Sequence, residues 1–158
     1  MTHGNGAGGI AVNADGVLVS SIVADNTAAN DPSDIGRSGG GTGTPVINGS
    51  TSLVMASSLQ VPPDTIALDP MLSTLTDHGG PTLTLALQSG SPAIDHGAAV
   101  GKYDQRGAPY QRTVGANADI GAFEFGAGPD RIFLDGFDPI TASHPACTAV
   151  FACAPGPA

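Results

Sequence analysis

The sequence has no tryptophan, only 4% aromatic residues, and five lysines and arginines in 158 positions. Without bulky rings, an interior must be filled by Val, Ile, Leu and Ala, which suits a narrow stacked core better than a broad globular one. Five cations against fourteen acids, a formal net charge of -9, leave no basic stripe to displace counterions from phosphates. Nucleic acid is therefore excluded as a natural partner, and an anionic membrane surface would repel the chain. No apolar run reaches the length of a transmembrane segment. The opening Met1-Thr2-His3-Gly4-Asn5-Gly6 has neither a basic region nor an apolar stretch, so no signal peptide is read there. Repeat-like structure already begins at Ile10, as in a chain that starts partway through a longer one.

Cysteine is nearly absent. Cys147 and Cys153 are too few for a zinc site, and a local disulfide in an oxidising compartment and free thiols both stay open. What is plentiful is glycine, 23 residues, with 13 prolines, a load that packed helices do not tolerate. Charged residues are 12% and apolar residues 41%, unlike the charged, apolar-poor composition of disordered chains. The expectation is an ordered, all-β protein.

Up to Met55, short apolar runs alternate with polar turns: Ile10-Ala11-Val12, Val17-Leu18-Val19, Ile22-Val23-Ala24, Val46-Ile47 and Leu53-Val54-Met55. Each is strand length, too short for a helix. Asn13, Asn26 and Asn48 stand at their ends, where amides satisfy turn backbone or stack on an equivalent residue one coil away. A solenoid with coils of roughly 20 to 29 residues would complete about two or three turns here. The glycine run from Gly36 to Gly43 lacks the Lys-Ser/Thr ending and following helix of a phosphate-binding loop, and reads as a coil-to-coil connection.

Beyond Pro62-Pro63 the pattern changes. Asp69-Pro70-Met71-Leu72 reads as a turn or a short helical start. Thr82 to Leu87 alternates with period two, which predicts a strand with Leu83, Leu85 and Leu87 on one buried face. Ile120 to Phe125 reads as a last apolar strand, and these two strands would cover the open end of the stacked coils.

Paired carboxylates suggest glycoside cleavage, one acid donating a proton and another activating water or attacking, with Asp95, Asp104, Asp119 and Glu124 as the candidates. The structural reading of the same residues is favoured: Arg106 would bridge carboxylates through bidentate bonds and pin loops together. Lyase chemistry on acidic polysaccharides needs a cation beside a base, and the few available, Arg37, Lys102, Arg106, Arg112 and Arg131, are scattered. Asp130, Asp135 and Asp138 form a weak calcium candidate whose spacing is neither that of an EF-hand nor of a glycine-rich nonapeptide repeat; no other cofactor is expected. His3, His78, His96 and His144 lie far apart, none beside a nucleophile motif, and Ser91 lacks the flanking glycines of an esterase elbow.

The ordered motifs Asp69-Pro-Met-Leu72, Leu75-Thr-Asp-His-Gly-Gly-Pro-Thr82, Gly90-Ser-Pro-Ala-Ile-Asp95, Gly97, Asp104-Gln-Arg-Gly107 and Asp119-Ile-Gly-Ala-Phe-Glu124 resemble the choice-of-anchor Q domain. Ser21-Ile-Val-Ala-Asp-Asn26 and Asp34-Ile35 are similar to the last coils that precede it. Two positions depart from that pattern: His78 stands where the family usually has Asn, and Ser52 where Asn commonly precedes the Leu-Val pair. The resemblance implies a right-handed single-stranded parallel β-helix with a pectin-lyase-like fold, its last two or three coils followed by a C-terminal cap. The boundaries it implies are terminal coils over 1–68, the cap over 69–126 and a tail over 127–158. The stretch Asp130 to Asp138 is similar to the sorting segments that end some secreted proteins of Gram-negative bacteria.

The location implied is extracellular or on the bacterial cell surface. The partners implied are upstream coils and a carbohydrate or cell-surface ligand. The function implied is a non-catalytic structural, adhesive or display module. The alternative is the C-terminal fragment of a β-helix polysaccharide lyase or glycoside hydrolase whose active coils lie elsewhere.

Overall fold

The computed structural model describes residues 7–27, 34–39 and 43–128. Within them the protein is all-β: six short strands and no helix. No helix among them is long and apolar enough to cross a membrane.

The strands fall into two passes of the chain. The first contains β1 (Ile10–Val12), β2 (Gly16–Val19) and β3 (Ile22–Val23); the second contains β4 (Ile35–Arg37), β5 (Ile47–Ser50) and β6 (Leu53–Val54). Each first-pass strand pairs in parallel with its second-pass counterpart, Ile10 beside Ile35, Gly16 beside Ile47 and Ile22 beside Leu53. Parallel partners need a long connection between them, and here the remaining strands of the pass supply it. A third, narrower pass adds single parallel bridges at Ser57 to Ile35, Gln60 to Val46 and Ile66 to Leu53.

Small aliphatic residues fill the interior. Val23, Ile35, Ile47 and Val54 form one buried cluster, and Leu53, Leu87, Ala93 and Ile120 a second. Leu53 and Ile35 are completely inaccessible. The second cluster joins the strands to the region after Pro70, which packs along the flank made by β3 and β6. There Ile22, Ile66, Leu72 and Phe123 close around it. This lobe reaches back to the first pass: Gly121 N donates to Ser20 O at 2.9 Å, and Ala98 N to Ser20 Oγ at 3.0 Å.

Several local expectations change. Strand β4 carries one apolar side chain, Ile35, and runs into the start of the glycine run; pairing with β1 selects it, not propensity. The residues 72–76 and 84–87 meet through only two antiparallel bridges, Leu72 to Leu87 and Thr76 to Thr84. Thr84, Ala86 and Leu87 are the buried residues there, while Leu83 and Leu85 are exposed. Burial alternates from Leu83 to Ala86 but in the opposite phase to the one expected, with Thr84 and Ala86 inward and Leu83 and Leu85 outward, and Leu87 joins the buried side. Ile120 to Phe125 forms no strand; it is held by side chains, as described below. Asp69 to Leu72 is a turn, with Asp69 Oδ1 accepting Met71 N at 2.7 Å and Met71 at φ 52°. Asn48 lies beside Val17, not beside another asparagine, and Asn26 bonds Asp34 instead. At Ser52, the buried hydroxyl accepts Ser21 N and donates to Ser50 O.

Candidate functional site

The polar residues singled out in the sequence gather inside the lobe. A hairpin-like turn brings Tyr103 opposite Gln111, with Asp104 N donating to Tyr110 O and Arg112 N to Lys102 O. This places Arg106 at the turn and Arg112 on its returning arm, both facing the segment 118–124, of which Ala118, Asp119, Ile120 and Glu124 are buried.

Arg106 is 4% exposed and Asp104 7%. The guanidinium forks onto the carboxylate: Nε donates to Oδ2 at 3.0 Å and Nη2 to the same oxygen at 2.6 Å. Nη2 also donates to Glu124 O at 2.9 Å. Two rings flank the cation, Tyr110 at 4.1 Å and Phe123 at 3.8 Å from its central carbon, a stacked arrangement that planar, weakly hydrated guanidinium favours. His78 meets the edge of Phe123, with ring centroids 5.6 Å apart, and its Nδ1 lies 3.1 Å from both Thr84 O and Thr84 Oγ1.

Arg112 makes the second knot. Its Nη2 donates to Asp119 O at 2.8 Å and Gly121 O at 2.9 Å, and its Nη1 pairs with Glu124 Oε2 at 3.4 Å. Sequence reasoning counted Arg112 only as a scattered cation. The signal was present in the clustering of Lys102, Arg106 and Arg112 just before the acids at 119 and 124.

The carboxylates are bound mainly by backbone amides. Glu124 Oε1 accepts Val114 N and Oε2 accepts Asp119 N, each at 2.9 Å. Asp119 Oδ1 accepts Asp95 N at 2.8 Å, and its Oδ2 accepts Phe125 N. Asp104 Oδ2 accepts Glu124 N at 2.9 Å, besides Arg106. Asp95 is half-buried, at φ 61°, and its Oδ1 accepts Asn117 N at 3.1 Å. Burial raises the Glu124 carboxyl above its ordinary 4.5, and the neighbouring Asp119 charge adds to this; its two backbone donors and Arg112 oppose the rise.

Asp104, Arg106, Asp119 and Glu124 thus meet in one network, with Asp95 at its border. Arg106 does not bridge several carboxylates; it pairs with Asp104 alone, and Arg112 takes Glu124. Each oxygen of Asp104, Asp119 and Glu124 already holds a donor from the chain itself. These oxygens are buried and face the fold.

Two glycines in the quoted motifs make this packing possible. A Cβ on Gly80, at φ 85°, would stand 2.6 Å from Arg106 Cα, and one on Gly97 would stand 2.1 Å from Asp119 O.

A second buried acid lies between the strands. Asp34, 2% exposed, accepts Asn26 N at 2.8 Å through Oδ1 and Ala56 N at 2.9 Å through Oδ2. It ties the end of the first pass to the start of the third; the resemblance marked Asp34-Ile35 as part of a coil but gave this acid no role.

No group of three or more His, Cys, Asp or Glu able to hold a metal occurs among the described residues. The calcium candidate Asp130, Asp135 and Asp138 and the cysteines Cys147 and Cys153 lie outside them, as do Arg131, His3 and His144. An open groove of ≈ 820 Å³ runs between the first pass and the lobe, lined by Ile10, Ile22, Leu75, Leu83, Leu85 and Phe123 among others. No protein family matches the chain, and no curated protein or solved structure resembles it significantly.

Proposed function

We propose that this chain is a non-catalytic, extracellular or cell-surface module, the capped C-terminal end of a right-handed parallel β-helix of the choice-of-anchor Q kind. Its work is structural, adhesive or display. The observation that carries the reading is the state of the acids: Asp104, Asp119 and Glu124 are buried, and backbone amides or arginines occupy their oxygens. Such residues serve as struts. The three parallel strand pairs, stacked pass upon pass, support the β-helix part of the reading.

The test is glycan-array binding together with polysaccharide turnover by the purified chain, with calcium and with chelator. Binding without turnover is expected from an adhesive module, and silence in both from a purely structural one. Turnover that disappears in Asp104→Asn or Glu124→Gln variants retaining the wild-type circular dichroism would overturn the proposal in favour of a carbohydrate-active enzyme.

A further inference from the structure

We infer that Asn48 and Gly49 form a self-modifying site, at which the Gly49 backbone nitrogen closes on the Asn48 side chain while the protein stays folded. The inference is independent of the functional reading above.

Such a closure is fastest where an asparagine precedes a residue without a Cβ, where its side-chain amide is free to turn, and where the next backbone N–H is held by no acceptor. Asn48, Gly49 and Ser50 are the exposed residues of β5, and the Asn48 side chain has no hydrogen-bond partner among the described residues. Other asparagines differ. Asn26 Nδ2 donates to Ala24 O at 2.9 Å and Asn117 Nδ2 to Asp95 O at 3.1 Å, and neither residue precedes a glycine.

The state of the Gly49 amide follows from the register. Strand β5 has a described neighbour on each side, β2 and the third pass, and alternate amides of a parallel strand face alternate neighbours. Ile47 N donates to Gln60 O at 2.9 Å and Thr51 N to Asp64 Oδ2 at 2.8 Å, so Gly49 N, midway between them, is also directed at the third pass. Between Gln60 and Asp64 stand Val61, Pro62 and Pro63, and Gly49 N has no acceptor among the described residues. Gly49 also leaves the extended conformation, at φ 121°, and a Cβ there would run into Leu18 O. The fold therefore requires the very residue that makes the reaction fast.

Strand β2 carries a similar dipeptide in a closed form. Asp15 precedes Gly16, yet Gly16 N donates to Val46 O at 3.0 Å and Asp15 Oδ1 accepts Val46 N at 2.9 Å. Attacking nitrogen and side chain are both engaged there.

The step needs no co-reactant but water. Gly49 N bonds to Asn48 Cγ, the Cγ–Nδ2 bond breaks, and the Gly49 amide proton leaves with Nδ2 as ammonia, which leaves a succinimide ring. Water then opens the ring at one of its two carbonyls, giving aspartate or, with the backbone rerouted through the side chain, isoaspartate. Either product adds one negative charge beside Val17. Isoaspartate also lengthens β5 by one backbone atom, next to the bond from Ser20 N to Ser50 O.

Peptide mapping by mass spectrometry of the 158-residue chain, aged at neutral pH both folded and in urea, tests this residue by residue. Folding is expected to slow conversion at Asn48 by at most about tenfold, the hold of one ladder hydrogen bond, and to slow isomerisation at Asp15 by about a hundredfold, because two bonds must open there. Mapping also separates Asn5, which precedes Gly6 outside the described residues. Asn48→Gln, whose longer side chain must close a larger ring, is expected to remove the product while keeping the circular dichroism of the parent. Protection of Asn48 beyond that limit, protection equal to that of Asp15, or a product that persists at this position in Asn48→Gln would overturn the inference.

Discussion

Between Ile10 and Ile66 the backbone pairs with itself, strand beside strand, around a core of Val, Ile and Leu. Between Pro70 and Gly128 there is almost no ladder, and buried Asp, Glu and Arg side chains take up the backbone groups instead. Both regions meet the same requirement, that buried N–H and C=O groups find partners. The strands meet it with repeated, interchangeable bonds; the lobe meets it with a few irreplaceable ones. Damage should therefore spread differently through the two.

The largest effect is expected from Arg106→Ala, which leaves the buried Asp104 carboxylate without its cation and should cost about 3–5 kcal/mol. Both tyrosines, Tyr103 and Tyr110, lie in the lobe and no tryptophan competes, so their near-ultraviolet dichroism follows this region alone. Loss of that signal with strand amides still protected from exchange would mark the lobe as a separate unit. Simultaneous loss of both would make the molecule one cooperative whole.

Leu53→Ala tests the joint between the regions. Leu53 is fully buried in β6 and belongs to the cluster shared with Leu87, Ala93 and Ile120, so truncation should cost about 2–5 kcal/mol. Here the tyrosine signal and the strand signal should shift together in urea.

Asp34→Ala removes the one buried acid among the described residues of the strand region. The amides of Asn26 and Ala56 lose their acceptor, at a cost of about 1–3 kcal/mol. Faster exchange at Ala56, with the tyrosine signal unchanged at low denaturant, would show that its effect stays local.

The smallest effect concerns pH. The Glu124 carboxyl is raised in the folded state, so the folded protein holds its proton more tightly than the unfolded chain does. The stability this group contributes is full below 4.5, its ordinary value, and is lost as pH rises through the higher folded value. The urea midpoint, compared with that of Glu124→Gln, should carry this extra fall across that window. A wild-type midpoint that rises more steeply with pH than the variant's would contradict the assigned direction.

The strand region was largely legible because its residues interact through pattern: apolar runs at Ile10, Val17, Ile22 and Leu53 mark strands whatever they pair with. Only Ile35-Gly36-Arg37 escaped, since it becomes a strand by lying between β1 and the third pass. The lobe was legible in its residues and not in its partners. Asp104, Arg106, Asp119 and Glu124 were singled out, yet the assignment of Arg106 to Asp104 and Arg112 to Glu124 depends on loops that no local periodicity encodes.

Composition and pattern by themselves determined that this chain is acidic and thinly cored and that its described residues are all-β without long helices, because propensity, side-chain volume and net charge are properties of the residues taken singly or in short runs. The tertiary structure decided which acids are buried and which arginine each one meets. Those outcomes depend on contacts between segments far apart in sequence, where loop geometry and the demand for hydrogen-bond partners outweigh any local preference.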